Sequence, residues 1–420
     1  MKTSSEVSLL IDHFFRNESG KAIAFLTNRF GTENLEFVED AVQEALFKAM
    51  QTWPYKTVPN NPTSWIIRVA GNKLVDQLRR NKKITYTEEI IDDRFEEVNL
   101  ADGAFKDDMI RMIFACCNPQ LSDEYQLILT LKILGGLSVK EIASGLLKKE
   151  ETVAKSYTRA KKKFREENLT LELPESVAID ERLLRVLKVI YLLFNEGYKS
   201  TDSDQLIRKD LCKDAIRLCQ LLLENRLTNT PYTRSLLALM YYHSSRFDAR
   251  INQDGEIIPL EKQDRANWKK DFINRGNYYL SSVTENETQN EYFLQAAISG
   301  IHCNADTYEE TRWDIILHLY DTLYHFNPSP IVALNRIVAL EKIKGSAEAL
   351  TEIEKLEKES SLTKNYLLPA IKAEIYISLK QIDQAIKSIK KAISLTANPN
   401  EKEYLKKKMS TFDRKKPTLK

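Results

Sequence analysis

Cationic and hydroxyl-bearing side chains recur on one side of the segment from Glu151 to Arg165: Thr152, Lys155, Ser156, Arg159, Lys162 and Lys163. They make no bond-breaking centre. Their chemistry is donation of hydrogen bonds and charge to phosphate oxygens and base edges. The opposite side carries Val153, Tyr157, Ala160 and Phe164 at spacings of 4, 3 and 4. That is the apolar stripe of a helix packed on a core. An apolar back with a basic front suits a helix lying in the major groove of DNA. Taken alone, the Lys161–Lys163 run reads as a solvated face rather than as a DNA contact.

The residues that must position this helix lie just before it. Ser138 is placed to cap a short helix, with Glu141 three residues on to complete a capping box. Ile142, Ala143 and Leu146 give that helix its apolar stripe, and Glu151–Thr152 opens the next after a brief break. Two short helices of this polarity predict a helix-turn-helix.

At 420 residues the chain is too long for one ordinary core, which predicts two or three domains. With 12 Gly and 12 Pro it has too few turn residues for an all-β architecture, so an all-α fold is expected. Net charge is only +2, so any nucleic-acid affinity must come from local patches. No run of 18 apolar residues and no signal segment is present, which predicts a cytoplasmic protein without a membrane partner. The five cysteines show no C-x-x-C pair and the five histidines complete no zinc spacing, so buried free thiols and no cofactor are expected.

Helical patterns run from Val7 to Phe30, from Leu35 to Met50 and from Thr63 to Arg80, giving a first domain at 7–81. Residues 82–108 lose the pattern and turn acidic, through Glu88, Glu89, Asp92, Asp93, Glu96 and Glu97, and read as a linker. A second small helical domain follows at 109–168 and ends on the basic helix. From 178 to 420 the chain reads as helical throughout, except for a turn at Asp254–Gly255 between two short extended pieces. Residues 344–358 and 380–394 share their apolar placement at an offset of 36 between Ala349 and Ala385. A repeat of that length suggests tetratricopeptide-like stacking, with an ordinary helical bundle as the competitor.

Three stretches in order resemble one family. FVEDAVQEALFKAM (37–50) is similar to the D-x-V-Q-E segment of bacterial sigma factors, NPTSWIIRVAGNKLVDQLRRNKK (61–83) to the helix that follows it, and the helix-turn-helix to their terminal DNA-binding domain. The chain resembles an extracytoplasmic-function (group IV) sigma factor of the sigma-70 family. The segments DDMIRMIFACCNPQLS (107–122), VIYLLFNEGY (189–198), DGEIIPLEKQDRANW (254–268) and PSPIVALNRIVAL (328–340) resemble a subgroup with a long C-terminal helical extension. The resemblance implies region 2 at 7–81, region 4 at 109–168 and a tetratricopeptide-like regulatory extension at 178–420.

It also implies roles for particular residues. Asp40, Gln43 and Glu44 would grip the β′ clamp helices of core RNA polymerase, whose β flap is a further expected partner. Lys56, Asn60, Asn61, Arg68, Asn72, Lys73, Asp76, Arg79 and Arg80 would read the −10 element of promoter DNA. Thr152, Lys155, Ser156, Arg159, Lys162 and Lys163 would read the −35 element, Arg159 foremost. Family members place Gly where Leu147 stands, so the turn into the reading helix departs from their pattern. Trp65 reads as core, while Asp264, Arg265 and Trp268 read as contact residues or as local packing. The extension would regulate the sigma module in cis, with a protein or a small molecule as its effector. No nucleotide-binding or hydrolase signature is present, so no enzyme is expected. The alternative is a helix-turn-helix regulator carrying a helical-repeat interaction domain.

Overall fold

The computed structural model describes residues 18–53, 59–80, 102–146, 148–167, 169–174, 176–198, 208–252, 257–288, 290–358, 365–396 and 399–413. All regular elements among them are helical, apart from one isolated bridge between Ile251 and Ile257. The chain divides into two compact units, residues 1–200 with 208–230, and residues 201–207 with 231–420.

The first unit begins with α1 (18–30), α2 (Leu35–Thr52) and α3 (Pro62–Arg80). Gly31 ends α1 at φ 89°, a backbone state that favours glycine. Val38, Val42, Ala45 and Ala49 of α2 are buried against α3, which contributes Ile66, Ala70, Leu74 and Leu78. Then come α4 (Asp102–Cys116), α5 (Asp123–Leu129) with a π turn at Thr130–Leu134, α6 (Val139–Gly145) and α7 (Glu150–Glu166). The helix α4 already starts at Asp102, inside the stretch expected to be linker. The acidic residues from Glu88 to Glu97 lie outside the described residues. Asp108 ties α4 to α1 by accepting from Asn28 Nδ2 at 2.7 Å and Arg29 Nη1 at 3.2 Å.

Two further helices complete this unit, α8 (Ser176–Tyr198) and α9 (Lys209–Leu223). The boundary expected between 168 and 178 therefore falls inside a compact body. The physical reason is twofold. Helix α8 buries Val186, Ile190 and Phe194, and α9 buries Leu211, Leu218 and Leu222, as two facing stripes. Three arginines then bind carbonyls of the helix-turn-helix region: Arg182 to Phe114 O at 2.5 Å, Arg208 to Glu141 O at 3.1 Å and Arg217 to Leu134 O at 2.9 Å. Phe114 O and Leu134 O lie at element ends, where carbonyls lack intrahelical partners, and a guanidinium satisfies them well.

The second unit runs through α10 (Pro231–Ser245), α11 (Lys270–Ser281), α12 (Glu291–Asn304), α13 (Trp313–Phe326), α14 (Pro330–Lys344), α15 (Ser346–Glu357), α16 (Leu367–Ser378), α17 (Ile382–Leu395) and α18 (Pro399–Asp413). From α13 on, each helix packs on the next. Ala349 and Ala385, the two repeat-matched alanines, are both fully buried in these seams. Glu357 bridges successive helices through Lys372 at 2.6 Å and Lys391 at 3.0 Å. At the other end of the unit the Tyr242 ring lies where a side chain at Gly276 or Gly300 would intrude, since added Cβ atoms would meet it at 2.6 and 3.0 Å. The extended pieces around the expected turn pair through Ile258 N–H to Arg250 O at 2.8 Å, and Asp254–Gly255 itself lies outside the described residues. All five cysteines are buried and unbridged. No described helix is long and apolar enough to cross a membrane.

Two outcomes follow from this packing. A chain ending at 168 should unfold at lower urea than one ending at 230, with at least about 3 kcal/mol lost from the α8–α9 stripes and the arginine–carbonyl bonds. Equal midpoints by circular dichroism would show that α8 and α9 are dispensable. The second outcome concerns His302, whose pKa falls to about 4 through burial and the nearby Arg246 and Arg265 cations. A depressed histidine gives stability that is complete above its unfolded value near 6.5 and is lost as pH falls through about 4, about 3 kcal/mol at most. A proton NMR titration should place the His302 midpoint there, and His302→Gln should flatten the acid limb of the stability curve.

Candidate nucleic-acid interface

Helix α6 starts as its sequence dictates. Ser138 Oγ accepts from the Glu141 N–H at 3.1 Å, and Glu141 Oε2 accepts from the Ser138 N–H at 2.7 Å, closing the capping box. Leu147 lies outside the described residues. After it, the Lys148 N–H reaches Ala143 O at 2.9 Å and its ammonium pairs with Glu124 at 2.8 Å. Lys149 occupies the N-cap position of α7 with no side-chain cap, and Glu150 and Glu151 in the first turn complement the helix dipole instead.

The back of α7 is the expected stripe: Val153, Tyr157, Ala160 and Phe164 are all buried. On the front, Thr152, Lys155, Arg159 and Lys162 are exposed, and Lys163 is half-buried. Lys155, Lys162 and Lys163 pair with Glu151, Glu166 and Glu167 one turn away. Solvated pairs of this kind contribute little and exchange readily for phosphate. Arg159 makes no ion pair among the described residues. Ser156 is half-buried and donates to Glu124 Oε1 at 2.9 Å, so of the six front residues it is the one bonded to another helix.

What lies behind the helix was not foreseen. The Tyr157 hydroxyl donates to Glu39 of α2, and Lys161 Nζ reaches the other Glu39 oxygen at 3.1 Å and Glu36 at 3.6 Å. Glu39 is only 5% exposed. Burial, then the Glu39 charge, push the Tyr157 phenol well above its ordinary range, so it stays a donor. Glu39 thus leaves the acidic face of α2 and joins the core. The hint was its register, next to Val38 and three residues before Val42 on the inner stripe.

The outer face of α2 keeps Asp40, Gln43 and Glu44 exposed. Phe47 and Met50 extend that face and are 60% and 54% exposed. Glu44 pairs with Lys73 of α3 at 2.8 Å, which joins two residues predicted for different partners. Along α3, Arg68, Asn72, Asp76, Arg79 and Arg80 are exposed at one-turn spacings. Asn61 is exposed at the start of α3 and its Oδ1 accepts from the Ser64 N–H at 3.0 Å, a capping bond. Asn60 is exposed beside it, and Lys56 lies outside the described residues. Trp65 is half-buried and meets Trp53 edge-on at 5.4 Å.

Residues 15–84 match sigma-70 region 2, and residues 111–164 match sigma-70 region 4. The presence of region 2 and region 4 in this order supports a sigma-70 family sigma factor. A sigma-70 protein has core RNA polymerase and promoter DNA as its partners. Residues 182–284 match a family of unknown function, DUF6596, which takes in α8 and α9 of the first unit and α10 and α11 of the second. An uncharacterised protein of Rhizobium meliloti (strain 1021) is 35% identical over 380 residues, covering 89% of this chain and 89% of that protein. No solved structure matches.

The two matched regions share a buried ionic seam, Glu39 with Tyr157 and Lys161. Removing one partner of a buried charge pair is far costlier than weakening it. Glu39→Ala should therefore destabilise the chain by about 3 kcal/mol and Tyr157→Phe by about 1 kcal/mol in urea unfolding. A Glu39→Ala midpoint equal to that of the parent chain would mean the seam contributes nothing.

Proposed function

We propose that this protein is a promoter-specificity subunit of the extracytoplasmic-function kind. In this reading α7 reads the −35 element with Thr152, Lys155, Ser156, Arg159, Lys162 and Lys163. The exposed row Arg68, Asn72, Asp76, Arg79 and Arg80, with Lys73, Asn60, Asn61 and Lys56, reads the −10 element and holds the opened strand. Asp40, Gln43 and Glu44 grip the β′ clamp helices, and the region 4 side meets the β flap. The observation that carries the reading is the outer face of α2. A repressor that only binds duplex DNA has no use for an acid and amide row continued by solvent-exposed Phe47 and Met50. A polymerase surface that is both basic and apolar does.

The second unit is read as a regulator acting in cis through its stacked helices. Successive packing from α13 to α18 and the offset of 36 residues between the matched alanines support a repeat-type, tetratricopeptide-like surface.

Reconstitution with core polymerase tests the proposal. Holoenzyme formed with the full-length chain should give promoter-dependent run-off transcripts. The double variant Asp40→Lys, Glu44→Lys should weaken core binding at least about tenfold, about 1.4 kcal/mol, and leave binding to duplex DNA unchanged. Loss of duplex binding with intact core binding would reverse the assignment of α2.

A further inference from the structure

Charge is spread unevenly along the second unit. Residues 360–420 hold 14 Lys and Arg against 5 Asp and Glu, a net +9 in a chain whose total is +2. Residues 231–359 of the same unit hold 14 against 20. A change of sign this large between neighbouring stretches points to a polyanionic partner for the basic one.

The described part of that excess lies on the last three helices. Helices α16, α17 and α18 share one core, with Tyr376, Ile389, Leu405 and Phe412 among its members. On α17, Lys387, Lys390 and Lys391 are exposed at one-turn spacings, opposite the buried Ala385, Ile389 and Ala392. On α18, which packs on α17, Lys406 and Lys407 are exposed, and Lys402 is half-buried one turn before Lys406. Lys380 is exposed in the turn between α16 and α17.

The acids of these helices do not cancel the lysines. Glu374 is taken by Lys408 at 2.6 Å, and Glu357 of α15 by Lys372 and Lys391 at 2.6 and 3.0 Å. Glu401 accepts from the Tyr366 hydroxyl at 2.6 Å and the Thr396 hydroxyl at 2.5 Å. Asp383 stands in the first turn of α17, where the helix dipole favours it. Glu403 is exposed on α18, and Asp413 at its end is followed in sequence by Arg414, Lys415 and Lys416. Lys380, Lys387, Lys390, Lys402 and Lys406 make no ion pair among the described residues.

The same helices narrow the kind of polyanion. A helix lying on a membrane needs an apolar outer face, and a reader of single strands needs exposed aromatic platforms. Among the described residues of α16–α18 no large apolar side chain stands exposed, and Tyr376 and Phe412 are buried. A duplex backbone asks only for cations at suitable spacing. Regions 2 and 4 imply promoter DNA as a partner of this chain, so a linked contact to the same duplex gains through effective concentration.

We infer that α17 and α18 form a sequence-independent contact surface for the phosphate backbone of duplex DNA, with Lys387, Lys390 and Lys406 as its principal contacts. This assigns the second unit a partner beyond its reading as a regulator in cis.

The test uses the full-length chain and a fluorescein-labelled duplex of about 30 base pairs without promoter elements, read by anisotropy between about 50 and 200 mM salt. The triple variant Lys387→Gln, Lys390→Gln, Lys406→Gln should bind at least about tenfold more weakly at the low end. Its plot of log K against log salt should be shallower by about 2 to 3, one phosphate contact contributing about 0.9. The matching triple Lys→Arg variant keeps the charges and should keep the parent slope. Three results would overturn the assignment: a Gln variant with the parent's affinity and slope, an Arg variant that loses as much as the Gln variant, or polyglutamate displacing the labelled duplex better than unlabelled duplex of equal charge. The last would reassign the face to an acidic protein. No variant touches α3 or α7, so each outcome stands apart from whether those helices read a promoter.

Discussion

A helix as charged as Glu150–Glu166 cannot hold itself against a protein without help. Only Val153, Tyr157, Ala160 and Phe164 offer it an apolar footing, and one of these four carries a hydroxyl. Burying that hydroxyl requires an acceptor, because an orphaned one would cancel much of what the stripe gains. Glu39 supplies it, and Lys161 neutralises Glu39 in turn. The consequence is orientation. With the tyrosine edge locked inward, the face bearing Thr152, Lys155, Arg159 and Lys162 has only solvent to look at.

The same logic of satisfied polar groups explains why the first unit does not end with the basic helix. Helix ends leave carbonyls unbonded, and the ends of α4 and of the π turn are such cases. Arg182 of α8 and Arg217 of α9 answer two of those carbonyls, Phe114 O and Leu134 O, and Arg208 at the N-cap of α9 adds a second bond to Glu141 O. A helical pair within the segment of unassigned family thus serves as scaffold for the helix-turn-helix.

Local signals in the sequence carried far. The stripe at 153, 157, 160 and 164, the Ser138–Glu141 box and the helix stop at Gly31 each rest on neighbours within a turn, and each appears as read. What escaped depends on partners distant in the chain. Glu39 looks like one more surface acid until the residue 118 positions away is known. The arginines of α8 and α9 look like solvated charges, since their acceptors are backbone carbonyls that carry no residue code. Phe47 shares the side of α2 that carries Asp40, Gln43 and Glu44, and both it and Met50 stand exposed, an apolar extension of that face that the pattern alone did not mark. Asn61, read as a base contact, also caps α3, because a side chain that binds nucleobases binds backbone amides equally well.

The fate of Lys161 bears on how promoter reading must be divided. Its ammonium faces Glu36 and Glu39, so the Lys161–Lys163 run offers DNA two cations, not three. Each phosphate neutralised contributes a salt-dependence slope of about 0.9, and a handful of contacts yields only weak binding at physiological salt. A chain whose net charge is +2 adds no general attraction. Helix α7 alone therefore cannot account for tight promoter binding. In the proposed reading the exposed row on α3 would supply a second set of contacts. A third body that binds α2 would hold both sets on one DNA molecule, and linked weak contacts gain through effective concentration what neither has alone. On that proposal the modest basicity of each reader would work as a filter: either helix alone would leave DNA readily, and the assembled pair would not.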